Sequence, residues 1–297
     1  MILVQRVLVT NMESALTHAV FRKGATALIT GAASGIGLAL AQRCYSYQMN
    51  LILLDKSDDN LQQALKQFPS TDSITTSSHL IDVSSIDSWR SLVPQIQTQY
   101  PKGIDLLILN AGTGIKPNKG CWEDYEYFEK TFAINTLGYT NGIVAVLDMV
   151  KSGSDSRAIV LTGSKQGITN PPSDPAYNAS KAAVRTIAEH LSFDMAKAAP
   201  NVSVHLLIPG WTYTGFHTAA FENKPAGAWS SEQVVDFMIQ KMTDGKFYIK
   251  CPDNEVSEEL DKKRIMWTTN DILEGRPPLS RWREEWAGEA KKAIIGE

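Results

Sequence analysis

Ala25-Thr-Ala-Leu-Ile-Thr30-Gly31-Ala-Ala-Ser34-Gly35-Ile36-Gly37 is the stretch whose reading decides the fold. Its first half, apolar and rich in β-formers, predicts a buried strand. The glycines that follow, and the apolar-periodic run to about Tyr47, predict a tight corner opening into a helix. Glycine at such a corner lets the backbone turn sharply and approach a pyrophosphate, whose charge a helix N-terminus favours. The spacing is G-x-x-x-G-x-G, unlike the commoner G-x-G-x-x-G of dinucleotide sites. A glycine-rich corner at the first crossover of an alternating chain nevertheless points to a nucleotide.

Downstream, Leu51-Ile-Leu-Leu54 predicts a second strand ending in Asp55, eighteen residues after Gly37. An acid at that place accepts hydrogen bonds from an adenosine ribose and repels a 2′-phosphate, which favours NAD over NADP. Lys56 beside it leaves NADP possible, and the alternative is a surface Asp55 that opens a turn before Ser57-Asp58-Asp59. Ser78 to Val83 predicts a third strand, with Asp82-Val83 at its end, and a helix runs through Trp89 to about Gln99. Ile104 to Leu109 predicts a fourth strand, whose continuous apolar run Leu106 to Leu109 fits a central strand covered on both faces. Asn110-Ala111-Gly112 closes it, where open α/β sheets bind ligands.

Residues 122–150 predict two helical segments, with Asn135 in an otherwise apolar stretch. A buried amide needs hydrogen-bond partners, and both structural satisfaction and a place in a proton relay are open to it. Ala158 to Thr162 predicts the fifth strand and delivers Gly163-Ser164 at its C-terminal end. Val202 to Ile208 predicts the sixth, followed by Pro209-Gly210 and Trp211-Thr212-Tyr213-Thr214. A polar and aromatic loop over about 211–230 precedes a helix around Ser231–Met242, and Lys246 to Lys250 predicts a seventh strand. The alternation gives an α/β class, a Rossmann-like doubly wound parallel sheet of about seven strands with helices on both faces.

Between the fifth and sixth strands stands Tyr177-Asn178-Ala179-Ser180-Lys181. Residues four apart on a helix share a face, so the phenol and the ammonium can enter one cleft. A tyrosine normally ionises near pH ~10, and a nearby cation draws that value down towards neutrality. Such a tyrosine hands a proton to a carbonyl oxygen as hydride arrives at carbon, or removes it from an alcohol in the reverse direction. Tyr-x-x-x-Lys alone fits many helices; the surrounding pattern gives it meaning.

Composition removes other classes. The 297 residues carry 29 basic and 32 acidic side chains, a net charge of −3, so there is no basic footprint for nucleic acid or a membrane surface. Cys44, Cys121 and Cys251 are dispersed and odd in number, and the five histidines lack ligand spacing. Neither a disulfide framework nor a metal site is expected, and a reducing, cytoplasmic compartment fits. No stretch reaches the ~18 apolar residues of a spanning helix. Residues 1–23 are expected to form an N-terminal extension, 24–250 the sheet domain, and 251–297 a C-terminal extension packed on the domain or on a partner subunit.

With these positions laid out, the chain resembles the short-chain dehydrogenase/reductase family over roughly residues 24–250. The resemblance rests on Thr30-Gly31-Ala-Ala-Ser34-Gly35-Ile36-Gly37, Asp55, Asp82-Val83, Asn110-Ala111-Gly112, Asn135, Ser164, Tyr177, Lys181 and Pro209-Gly210, in that order. It implies that Gly31, Ser34, Gly35, Ile36 and Gly37 hold the cofactor pyrophosphate, Asp55 the adenosine ribose, and Asp82 and Val83 the adenine. Asn110, Ala111 and Gly112 would line the cofactor site, and Pro209, Gly210, Thr212 and Thr214 the nicotinamide end. Asn135, Ser164, Tyr177 and Lys181 would be the catalytic tetrad. Ser164 would hold the substrate oxygen, Tyr177 act as acid or base, Lys181 lower the Tyr177 pKa and bind ribose, and Asn135 anchor a water.

The implied activity is NAD(P)-dependent interconversion of a secondary alcohol and a ketone, with NAD preferred and NADP possible. Two other readings are a dehydratase or isomerase on the same fold and a non-catalytic dinucleotide binder. The rings of the 211–230 loop (Trp211, Tyr213, Phe216, His217, Phe221, Trp229) suggest a bulky, apolar or aromatic substrate, unless they pack into the core. A homodimer or homotetramer is implied, through the helices holding Asn135 and Tyr177. The stretch 251–297 departs from many members. It carries 11 acidic and 8 basic residues, with Trp267, Trp282 and Trp286, and Arg276 to Trp282 reads as a docked strap between two short helices.

Overall fold

The computed structural model describes residues 17–215 and 223–296. Among them, seven parallel strands form one sheet in the order β3-β2-β1-β4-β5-β6-β7. They are β1 Thr26–Thr30, β2 Asn50–Asp55, β3 Thr76–Leu80, β4 Leu106–Leu109, β5 Arg157–Thr162, β6 Val202–Ile208 and β7 Tyr248–Lys250. The chain winds outward from β1 in one direction and then from β4 in the other. The strand order therefore reverses between β1 and β4, where a crevice opens at the C-terminal ends of the strands.

Side chains alternate along the central strands and so feed two cores. Ala27 and Ile29 of β1, with Leu106 and Ile108 of β4, face one layer of helices. Leu28, Leu107 and Leu109 face the other. The first core is closed by α1 (Gly35–Ser46), by α2 (Asp58–Leu65) and by a helix late in the chain (Ser231–Thr243). The second is closed by α3 (Ile86–Gln99) and by the helices of the 125–151 and 175–198 segments. β1, β4 and β5 are buried along their whole length, as their continuous apolar sequences require.

The region read as two helical segments is one helical run with a fault in it. α4 (Tyr125–Phe132) passes through a π turn (Ala133–Leu137) into α5 (Gly138–Lys151). A short α6 (Gln166–Thr169) follows β5, then the long α7 (Pro175–Ala198), α8 (Ser231–Thr243), α9 (Glu258–Leu273) and α10 (Ala287–Ile295). Pro175 opens α7 where a missing N–H costs nothing, and Asp174 caps it by accepting the Tyr177 N–H.

One helix that the sequence did not suggest appears, and one expectation shifts. Ser57-Asp58-Asp59 is a helix start: Ser57 accepts the Asn60 N–H, and the acids occupy the first turn of α2. The third strand lies earlier than Ser78 to Val83, pairing Thr76–Leu80 with β2 at the sheet edge. Asp82 bends the chain away by accepting the N–H and hydroxyl of Ser84.

Described residues before β1 and after β7 contact the sheet domain. Val20 and Phe21 are buried in the first core. The C-terminal segment builds a small core of its own from Trp267, Ala290 and Ile294. Its strap is held by Arg276, stacked 3.9 Å from the Trp267 ring, and by Ser280, which donates to Asp271. Among the described residues, no helix is long and apolar enough to cross a membrane.

Candidate active site

The crevice at the strand ends is a cleft of about 800 Å³. Of the predicted site residues, all but Gly35, Gly37 and Asn135 line it. Gly37 and Asn135 are buried, and Gly35 is half-buried beside Thr214. Gly37 sits at the crossing of α1 and β1, where an added Cβ would lie 2.0 Å from the Gly31 carbonyl oxygen. Gly31 and Gly35 have φ of 64° and 54°, in the region where a side chain brings strain. Ser34 enters α1 with extended backbone, and its side chain caps none of the first-turn N–H groups. This is a bare helix N-terminus facing a cleft, suited to an anionic group.

At one end, Asp55 accepts the Ala33 N–H (3.0 Å) and the Ser57 N–H (3.1 Å), one on each oxygen. The carboxylate thus ties the glycine corner to the end of β2 while still lining the cleft, with Lys56 beside it. Asn110 knits three strands together. Its N–H donates to the Thr30 hydroxyl, its amide to the Thr30 carbonyl, and its oxygen accepts from the Thr162 hydroxyl.

At the other end, β5 delivers Ser164, whose hydroxyl hydrogen-bonds the Tyr177 phenol. Lys181 is buried on the same helix as Tyr177 and donates to the Thr162 carbonyl (2.9 Å) and the Tyr139 hydroxyl (3.2 Å). Its ammonium stands 6.0 Å from the Tyr177 ring centroid. Asn135 is fully buried in the π turn. Its oxygen accepts the Thr113 N–H (2.8 Å), and its amide donates to the Thr113 carbonyl (2.9 Å) and the Ser180 hydroxyl (3.2 Å). The side-chain amide is therefore committed to holding the loop after β4 against α7, which meets the demand for partners read from the sequence.

The expected lowering of the Tyr177 pKa is not what this arrangement gives. Burial pushes the phenol above its ordinary value, the Ser164 hydrogen bond works against that, and the Asp174 carboxylate adds to it. Desolvation meanwhile brings the Lys181 ammonium down to about 7, which weakens the positive field expected to act on Tyr177.

Sequence reading missed several residues of the site. Tyr139, four positions after Asn135, braces Lys181, and that helical spacing was the available signal. Lys165, Gln166 and Asp174 line the cleft. Of the aromatic loop, Trp211 faces the cleft, whereas Trp229 packs on Phe237 against the first core. Phe216, His217 and Phe221 lie outside the described residues. Among the described residues, no group of His, Cys, Asp and Glu side chains is arranged to hold a metal.

Known proteins fit this geometry. The sequence model described as short chain dehydrogenase matches residues 25–225. The NADP-dependent (R)-specific alcohol dehydrogenase of Lentilactobacillus kefiri is 27% identical over 194 residues, 65% of this chain and 75% of the relative. The 3-dehydrosphinganine reductase of Danio rerio is 28% identical over 239 residues, 75% of this chain and 70% of the relative. A crystal structure of a short chain dehydrogenase/reductase from Burkholderia phymatum, in complex with NAD, superposes with a TM-score of 0.75 at 25% identity. That match covers 86% of this chain and 96% of the other.

Proposed function

The chain belongs to the short-chain dehydrogenase/reductase family of NAD(P)-dependent oxidoreductases, and from that premise we propose that it interconverts a secondary alcohol and a ketone. The observation that carries the reading is the meeting of Ser164, Tyr177 and Lys181 at one end of a cleft whose other end holds the glycine corner and Asp55.

In this reading Gly31, Ser34 and Ile36 hold the pyrophosphate of the dinucleotide, Gly35 and Gly37 shape the corner that presents them, and Asp55 holds its adenosine ribose. Asp82, Val83 and Asn110 to Gly112 flank it, and Pro209, Gly210, Thr212 and Thr214 border its nicotinamide end. The bare N-terminus of α1 and the Cβ-free corner supply the fit. The bound nicotinamide supplies the hydride in reduction and accepts it in oxidation. Ser164 holds the substrate oxygen next to Tyr177, and Tyr177 gives that oxygen its proton or takes it away. Lys181, fixed by Thr162 and Tyr139, binds the neighbouring ribose and sets the charge around Tyr177. Asn135 serves the site by position, locking the loop after β4 to the helix that carries both groups. Prealigned donors of this kind lower a barrier by several kcal/mol in other enzymes, on the order of 3 for one oxyanion donor.

NAD is the preferred cofactor in this proposal, because Asp55 presents a carboxylate where a 2′-phosphate would lie. Trp211 on the wall supports a bulky, apolar or aromatic substrate. The names of two relatives, an alcohol dehydrogenase and a 3-dehydrosphinganine reductase, support an alcohol or ketone. Exposed Val144 on α5 and Phe193 on α7 support a homodimer or homotetramer built on these helices.

The test is a fluorescence titration with NADH and NADPH, followed by turnover of a panel of bulky ketones. NADH binding tighter than NADPH binding, with ketone-dependent NADH oxidation, is expected. Binding without turnover across the panel would overturn the reaction class.

A further inference from the structure

The residue after Ser164 is a lysine, and its charge is met by carboxylates from the far end of the chain. Lys165 Nζ stands 2.6 Å from Asp261 Oδ2 and 3.3 Å from Asp253 Oδ2. The side chains of Lys165, Asp253 and Asp261 are only 13%, 6% and 2% exposed. Asp261 lies in the first turn of α9, and Arg264 one turn on adds a second cation at 3.9 Å. Two carboxylates and two cations balance, as a buried cluster requires.

This cluster touches both loops of the reaction end. Asp253 Oδ2 accepts the Trp211 N–H (3.2 Å), and the Lys165 N–H donates to the Pro209 carbonyl (3.3 Å). Gly210 lies under the ion pair: a Cβ there would stand 2.7 Å from Asp253 Oδ2 and 2.9 Å from Lys165 Nζ. The other Asp253 oxygen accepts the N–H groups of Glu255 and Val256, which locks the turn leading into α9. Lys165, Gly210 and Trp211 all line the cleft that holds Tyr177.

We propose that Lys165, Asp253 and Asp261 are positioning residues through which the C-terminal segment sets the Ser164 turn against the Pro209–Trp211 loop. The inference rests on the reaction proposed above, since it assigns these loops to the substrate oxygen and the nicotinamide. Ser164 alone does not fix the distance between the two. Backbone bonds from Gly163 to Leu207 and from Lys165 to Pro209 tie the strand ends, and the buried ion pair adds a side-chain restraint, because a displacement of either loop would leave a carboxylate unpaired in a dry site. Residues 251–273 are thus a working part of the active site.

Asp261→Asn and Asp253→Asn keep shape and remove one charge each. Hydrogen exchange of backbone amides at 163–167 and 209–213 is compared with wild type, alongside thermal unfolding. Kinetics are run with NADH and with NADH deuterated at the transferred position. Expected are faster exchange in both loops, kcat lower by about tenfold or more, an enlarged isotope effect and a cofactor KM within about threefold. Unchanged exchange, or faster exchange with unchanged kcat, would overturn the proposal. If one variant fails to fold, the other decides. Should wild type itself turn over no carbonyl, the reaction class fails, and the exchange comparison alone then decides the coupling.

Discussion

The Lys181 ammonium lies 3.2 Å from the Tyr139 hydroxyl, and both groups donate to one acceptor, the Thr162 carbonyl, at 2.9 and 3.0 Å. The triangle holds the lysine of α7 to the end of β5 and to the helix beyond the π turn. Tyr139→Phe removes one corner. A hydrogen bond to a charged group contributes about 1.5–3 kcal/mol. A lower Tm and a several-fold lower kcat are therefore expected, with NADH affinity nearly unchanged. Unaltered kcat would mean that Thr162 alone orients Lys181.

Tyr177→Phe removes the proton donor and leaves the walls intact. Turnover should fall by about 10²–10⁴-fold, while NADH binding stays within a few-fold. Substantial retained turnover, measured as ketone-dependent absorbance loss, would reassign the acid.

Asp55→Ala should weaken NADH binding more than NADPH binding. The same change frees the Ala33 and Ser57 N–H groups, so some loss with both cofactors is expected. The ratio of the two dissociation constants is the reading. A ratio equal to wild type would place cofactor choice on Lys56 or on another group.

Lys181 has a folded-state pKa of about 7 against an ordinary 10.5. Between these values the unfolded chain binds the extra proton, so stability rises with pH from about 7 upward. Below pH 7 both states carry the charge and the desolvation penalty is present in full. Burial also raises Cys44 and Cys251 from 9.0 to about 12, which reverses the trend above pH 9. Urea midpoints should therefore increase from pH 7 to pH 9 in wild type and stay flatter in Lys181→Met. Equal slopes would mean that Lys181 keeps its charge in the fold.

Much of the fold was legible because buried parallel strands write themselves as apolar runs, and β1, β4, β5 and β6 do so. The edge strand β3 was misplaced because Thr76 to His79 are polar and half-buried, so the apolar residues Leu80, Ile81 and Val83 drew the strand too far along the chain. Helix α2 was missed because Leu61 and Ala64 are its only buried residues. The cleft wall was legible where its residues are fixed in local motifs. Lys165 was not, since its partner Asp253 lies 88 positions away and only the tertiary fold brings them together.

The π turn at Ala133–Leu137 sets the rotational phase of everything after it. In an unbroken α-helix, Tyr127 and Tyr139 would point about 120° apart, whereas absorbing one residue in a wider turn brings them to within about 20°. Both can then face α7: Tyr127 reaches the Asp174 cap at 2.5 Å, and Tyr139 reaches Lys181. One surplus residue thus lets a single rod grip α7 at its first turn and again where it carries the lysine. Removing that residue would leave the two tyrosines eleven positions apart on a regular α-helix and still within about 20°, whereas forcing all the present residues into an unbroken α-helix would turn Tyr139 away from Lys181.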